Sequence, residues 1–142
     1  MENLFIEGVE EQPTIDFNAE TGILEIRDSS YPEYTNEIYS PVMEWLDNFF
    51  QEENRKVVFN FKLDYFNTST SFRFQQIINL LNEYQTNKNG EVTINWYFEH
   101  GDIDMQENGE DYAKDAKVPF NLIAYEKTKN KSTGEESSTA NE

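Results

Sequence analysis

The chain has 142 residues, the usual size of one domain, and 15% aromatic residues, enough to build a core from a hydrophobic fraction of only 37%. Its formal charge of −17, from 28 acidic and 11 basic residues, excludes a phosphate backbone or an anionic membrane surface as partner and favours basic protein surfaces. The absence of cysteine removes disulfides, thiolate catalysis and Cys-ligated zinc together.

The N-terminus has no basic region followed by a long apolar run, and no stretch approaches the roughly 20 apolar residues that span a bilayer. A cytoplasmic protein is the expectation. Residues 4–6 read as a short strand. Residues 14–17 and 23–27 read as the arms of a hairpin around the turn at 18–22. A helical stripe follows, with Ile38, Val42, Trp45, Leu46 and Phe49 on one face. The strongest strand signal is at 57–65, where Val57, Phe59, Phe61, Leu63 and Tyr65 alternate with polar residues.

A second helix carries Phe74, Ile77, Ile78, Leu81 and Tyr84. The strand at 92–98 then directs Val92, Ile94, Trp96 and Phe98 to one face. A weaker helix runs over 104–116, with Gly109 expected to interrupt it, and a last strand starts at Pro119. The order from Ile23 onward is β-α-β-α-β-α-β, which predicts largely parallel strands joined by right-handed crossovers. Alternating rather than continuous apolar strands predict helices on one face of the sheet only. Residues 1–126 form the domain, and the Lys/Ser/Thr/Glu-rich residues 127–142 are expected to be a disordered tail.

Catalytic chemistry has few parts. His100 is the only histidine, so His-based triads and His-rich metal sites are excluded. No phosphate-binding glycine motif occurs. The acidic run at 102–111 places Glu107 where a calcium loop needs glycine and Ala113 where it needs glutamate, so it reads as a solvated acidic helix start. No cofactor or metal is expected, nor an enzyme.

The informative segment is Tyr65-Phe66-Asn67-Thr68-Ser69-Thr70-Ser71-Phe72, at the junction of the best strand with a helix. Asn67, Thr68 and Ser69 are all suitable N-cap residues, but one cap needs one of them, and four hydroxyls stand in a row. A phosphate here would meet the positive helix end and add nearly two negative charges to the rim of the sheet. The alternative is a constitutive binding scaffold in which Thr68 only caps the helix.

Several segments together are similar to one known family. They are Met1-Glu2-Asn3-Leu4-Phe5-Ile6-Glu7-Gly8, Pro13-Thr14-Ile15-Asp16-Phe17, Gly22-Ile23-Leu24-Glu25-Ile26 and Ser30-Tyr31-Pro32-Glu33. The pattern continues through Phe59-Asn60-Phe61-Lys62-Leu63, Tyr65-Phe66-Asn67-Thr68-Ser69, Val92-Thr93-Ile94-Asn95-Trp96-Tyr97, Gly109-Glu110-Asp111-Tyr112 and Val118-Pro119-Phe120. In these the chain resembles the SiaC-type regulatory phosphoprotein family. The resemblance implies an α/β, STAS-like mixed sheet, with an N-terminal hairpin, mostly parallel strands and helices packed mainly on one face. It further implies a bacterial, non-enzymatic protein phosphorylated on Thr68 by a partner protein kinase and dephosphorylated by a PP2C-type phosphatase. Unphosphorylated, it would bind and activate a diguanylate cyclase or another signalling effector, linking the switch to cyclic-di-GMP and biofilm formation. Asn67, Ser69 and Thr70 flank the acceptor as partner contacts.

Overall fold

The computed structural model describes residues 1–126, and the tail expected at 127–142 lies outside the described residues. Strands β1 (Leu4–Ile6), β2 (Thr14–Phe17), β3 (Ile23–Ser30), β4 (Lys56–Phe66), β5 (Glu91–Glu99) and β6 (Phe120–Tyr125) lie side by side in chain order. The first two pairings are antiparallel, and β3 to β6 are parallel. Helices α1 (Thr35–Phe49), α2 (Thr68–Lys88) and α3 (Ile103–Asp115) are the three crossovers. Because each crossover advances one strand in the same direction, right-handed connections put all three helices on one face. This is the mixed sheet expected from the alternation of strand and helix patterns.

The helix-facing side is the core. Phe17, Phe59, Phe61, Trp96, Phe74 and Tyr39 are buried there, and aromatic pairs such as Phe61–Phe74, 5.0 Å between centroids, join sheet to helix. On the other face, Asn60, Asn95 and Asn121 stand opposite one another across three strands. Their amides bond in series, Asn121 Nδ2 to Asn95 Oδ1 and Asn95 Nδ2 to Asn60 Oδ1, each at 3.0 Å. No helix covers this row among the described residues.

Two local expectations are corrected. Tyr65 was expected to face inward with Phe61 and Leu63, but it is exposed. The β3–β4 register moves from Asp28↔Leu63 to Ser29↔Tyr65, so Asp64 is an extra residue in β4. One extra residue inverts the alternation that follows it. Phe66 therefore turns inward, 5.1 Å from Phe74, and Tyr65 turns out. On β3, Asp28 takes φ 77°, and its Oδ2 accepts a 2.6 Å hydrogen bond from Thr14 Oγ1.

The second correction concerns Gly109, which does not interrupt α3. It is buried inside an unbroken helix. A Cβ at that position would lie 2.6 Å from Leu122 Cδ2 and 2.7 Å from Trp96 Nε1, so glycine lets α3 lie flat on β5 and β6. Trp96 Nε1 donates to the Met105 carbonyl at 3.0 Å and fixes the same contact.

Candidate functional site

The parallel strands end together, so the N-termini of all three helices emerge along one edge of the sheet. The middle helix, α2, starts directly after the longest strand. Asn67 is its N-cap. The Asn67 Oδ1 accepts from the Thr70 N–H at 3.0 Å and from the Ser69 hydroxyl at 3.2 Å, and the Asn67 carbonyl accepts from the Ser71 N–H at 3.0 Å. Its Nδ2 donates to the Pro32 carbonyl at 3.3 Å, tying the cap to the chain beyond β3. A cap role for Thr68 is thus excluded: Thr68 is the first helical residue and Asn67 fills the cap.

The four hydroxyls part company at this point. Thr70 is fully buried at 0% exposure. Its Oγ1 donates to the Ser30 carbonyl at 3.0 Å and lies 2.9 Å from Ser30 Oγ, which in turn is 2.9 Å from the Tyr39 hydroxyl. Since the Thr70 proton goes to the carbonyl, the consistent order is Tyr39 O–H to Ser30 Oγ, then Ser30 O–H to Thr70 Oγ1. This chain joins α1, β3 and α2. Burial pushes the Tyr39 phenol well above its ordinary value, against the opposing hydrogen bonds of Ser30 and Thr70.

Ser71 is paired on the other side. The Ser71 hydroxyl donates to the Tyr112 hydroxyl at 2.6 Å, and Tyr112 O–H donates to the Ser71 carbonyl at 3.1 Å, which couples α2 to α3. Burial raises the Tyr112 pKa as well. Thr70, expected as a flanking contact, therefore holds the loop from inside and presents nothing to a partner. Ser69 is half-buried and bonded to the cap. Thr68 alone is exposed, and its hydroxyl forms no hydrogen bond with the described residues.

A helix leaves its first four N–H groups without intrahelical partners. In α2 that of Asn67 donates to the Ser30 carbonyl at 3.1 Å and that of Thr70 to the Asn67 side chain, while those of Thr68 and Ser69 stay open beside the Thr68 hydroxyl. The arrangement suits an anion attached to Thr68. Arg73 bonds to the Asn36 side chain on α1 and to Gln76 Oε1 at 3.2 Å, bracing the same end of the helix pair.

The other sequence candidates lie apart from this cluster. His100 is exposed in the turn after β5, 3.6 Å from Glu126 Oε2. The acidic run begins α3: the Asp102 Oδ1 caps it by accepting from Met105 N–H at 3.1 Å, and Asp104 lies in its first turn. Among the described residues no group of three or more His, Cys, Asp or Glu is placed to hold a metal ion. No helix of the described residues is long and apolar enough to cross a membrane.

Ser30, Tyr39 and Tyr112, the supports of the hydroxyl segment, were not anticipated. Tyr39 had a usable signal, since it continues the apolar stripe of Val42, Leu46 and Phe49 while carrying a hydroxyl that burial obliges to pair. Ser30 and Tyr112 are brought to α2 only by tertiary structure.

A mixed sheet of this topology, with an N-terminal hairpin, parallel strands beyond it and the three crossover helices on one face, is a STAS-like fold. The chain belongs to the SiaC family: the model of the "SiaC family regulatory phosphoprotein" matches residues 6–125. It is accordingly a regulatory protein and not an enzyme. An uncharacterised protein of Pseudomonas aeruginosa strain UCBPP-PA14 is 28% identical over 127 residues, spanning 89% of this chain and 99% of that one. The crystal structure of apo-SiaC from Pseudomonas aeruginosa superposes with a TM-score of 0.79 at 28% identity, covering 87% of this chain and all of that one. SiaC in complex with the diguanylate cyclase SiaD, which it activates, gives a TM-score of 0.80 at 28% identity over 86% of this chain and 99% of that one.

Proposed function

We propose that this chain is a phosphorylation-switched activator in bacterial cyclic-di-GMP signalling. Its unphosphorylated form binds and activates a diguanylate cyclase in the cytoplasm. A Ser/Thr kinase transfers the ATP γ-phosphoryl group to Thr68 Oγ1, and a PP2C-type phosphatase hydrolyses the ester. The observation that carries the reading is the sorting of the hydroxyls: Thr70 is buried and Ser71 is paired, while Thr68 is exposed at the helix N-terminus. Support for the cyclase comes from the SiaC–SiaD complex.

The test is mass spectrometry of the protein from its native cells, followed by binding to that organism's diguanylate cyclase. Phosphate is expected on Thr68. Thr68→Ala is expected to bind and activate the cyclase under all growth conditions, and the chain carrying phosphothreonine at 68 to do neither. Equal activation by both forms would sink the switch.

A further inference from the structure

Strand β6 forms one edge of the sheet, and among the described residues nothing pairs with its outer side. Its neighbour β5 takes the inner side. There the Ile94 N–H donates to the Pro119 carbonyl at 2.9 Å, and the His100 N–H to the Tyr125 carbonyl at 2.8 Å. Successive residues of a strand point their N–H and C=O groups to alternate sides, so Asn121 and Ile123 turn theirs to β5 as well. Those of Phe120, Leu122 and Ala124 point outward, away from the sheet.

Proteins ordinarily blunt such an edge by shortening it or by placing charges, proline or a bulge in it. The opposite edge follows that rule, since β1 has only three residues and Glu7 comes directly after it. Strand β6 does not. Its six residues include no charge, proline or glycine, in a chain of which 27% is charged. Leu122 is 39% exposed on it, although its side chain lies on the helix face beside Gly109. An apolar, unguarded edge of this kind is a template for another strand.

We propose that the occupant is β6 of a second copy of this chain, paired antiparallel about a two-fold axis at Leu122. In that register Leu122 faces its own copy, and Phe120 faces Ala124 in both directions, a large side chain against a small one. Each of these is a pair that exchanges two hydrogen bonds, so every outward N–H and C=O of the strand is satisfied. At both ends of the seam Lys117 of one copy comes within one residue of Glu126 of the other, which sets opposite charges together. The axis runs perpendicular to the sheet. The helices of both copies therefore stay on one face, and the two edges that carry Thr68 point in opposite directions and remain open. Self-association through β6 is thus separate from the switch and presents two copies of it.

The experiment is sedimentation velocity of the full-length chain at about 10 μM and about 0.5 mM, with oxidative cross-linking in parallel. A dimer is expected at the higher concentration. Raising salt from about 0.05 to about 0.5 M should favour it, because each copy carries a formal charge of −17. Ala124→Lys sets a charge against Phe120 of the other copy and should weaken association by about tenfold or more. Thermal unfolding of the dilute variant should match the parent, since Ala124 is exposed. The chain has no cysteine, so a single introduced one reports its own position. Leu122→Cys should give a disulfide-linked dimer, whereas Asn121→Cys, roughly 7–8 Å from its own copy in this register, should not. A chain that sediments as a monomer at both concentrations refutes the proposal. So does a dimer that Ala124→Lys leaves intact, or one that cross-links equally through Asn121→Cys. Hydrogen-exchange protection of the Leu122 amide in a monomer would place the cover of this edge within one chain and refute it too.

Discussion

Thr70→Val tests whether the hydroxyl segment is braced from within. Valine keeps the shape of threonine and removes one buried oxygen. The Ser30 carbonyl keeps a donor, because it also accepts from the Asn67 N–H at 3.1 Å. The hydroxyls of Ser30 and Tyr39 then face each other with two protons and only one hydrogen bond between them, so one buried proton is orphaned. An unsatisfied buried donor costs about 1–3 kcal/mol. That is a sizeable part of the roughly 5–15 kcal/mol typical of a domain, yet it leaves the protein folded. Urea unfolding followed by circular dichroism should show a lower midpoint with an unchanged slope. The triple variant Tyr39→Phe, Ser30→Ala, Thr70→Val removes every hydroxyl of the chain, and should cost much less than the sum of its single changes. A Thr70→Val variant within about 0.5 kcal/mol of the parent, or a triple variant with additive losses, would refute the hydrogen-bonded chain.

Other variants test neighbouring parts of the same construction. Asn67→Ala, which removes the cap, should cost about 0.5–2 kcal/mol in the same urea assay, while Thr68→Ala should fall within about 0.5 kcal/mol. The reverse ranking would place the cap at Thr68 and overturn the assignment of the two roles. Gly109→Ala would ordinarily stabilise a helix by about 1 kcal/mol. Here the added methyl meets Leu122 and Trp96, and a net loss of about 1–3 kcal/mol is expected, with a shift in Trp96 fluorescence. Stability should fall above pH 10: the unfolded chain releases the Tyr39 proton near its ordinary value of 10, whereas burial keeps it bound in the fold. Tyr84, Tyr112 and Tyr125 are raised by burial and act in the same direction. Tyr39→Phe should therefore flatten the alkaline limb of stability against pH without abolishing it, and an unchanged slope would argue against its buried neutral state.

Much of the architecture was legible because each strand and helix carries its own period. The alternation of Val57, Phe59 and Phe61, and that of Val92, Ile94 and Trp96, marked two central strands with one wet face. The positions of Asn60 and Asn95 on that open face follow directly. What escaped were features decided between elements. The extra residue at Asp64 is set by pairing with β3, so the exposure of Tyr65 could not be read from β4 alone. Gly109 looked like a helix breaker because propensity is local, and its use as a close-packing point depends on Trp96 and Leu122 across the interface. The hydroxyl segment was visible as a cluster, but its sorting into cap, exposed hydroxyl and internal braces depends on Ser30, Tyr39 and Tyr112. Ser30 lies 40 residues along the chain from Thr70, Tyr112 lies 41 from Ser71, and Tyr39 reaches Thr70 only through Ser30.

That sorting bears on how a switch at Thr68 would operate. The cap bonds Asn67 to the chain after β3, while Thr70 and Ser71 attach the same helical turn to α1 through Ser30 and Tyr39 and to α3 through Tyr112. A modification at a loosely held terminus could be absorbed by local fraying. Here fraying the first turn of α2 breaks the bonds of Thr70 to Ser30 on β3 and of Ser71 to Tyr112 on α3, and each buried group left unsatisfied costs about 1–3 kcal/mol. The added charge therefore stays where the helix presents it, among exposed aromatic rings. The switch then acts by changing the chemistry of a fixed surface rather than by refolding it. The circular dichroism and hydrogen-exchange protection of the phosphorylated chain should accordingly match those of the unmodified chain outside the first turn of α2. Loss of protection spreading into α1 or α3 would instead show that phosphate acts by releasing the brace.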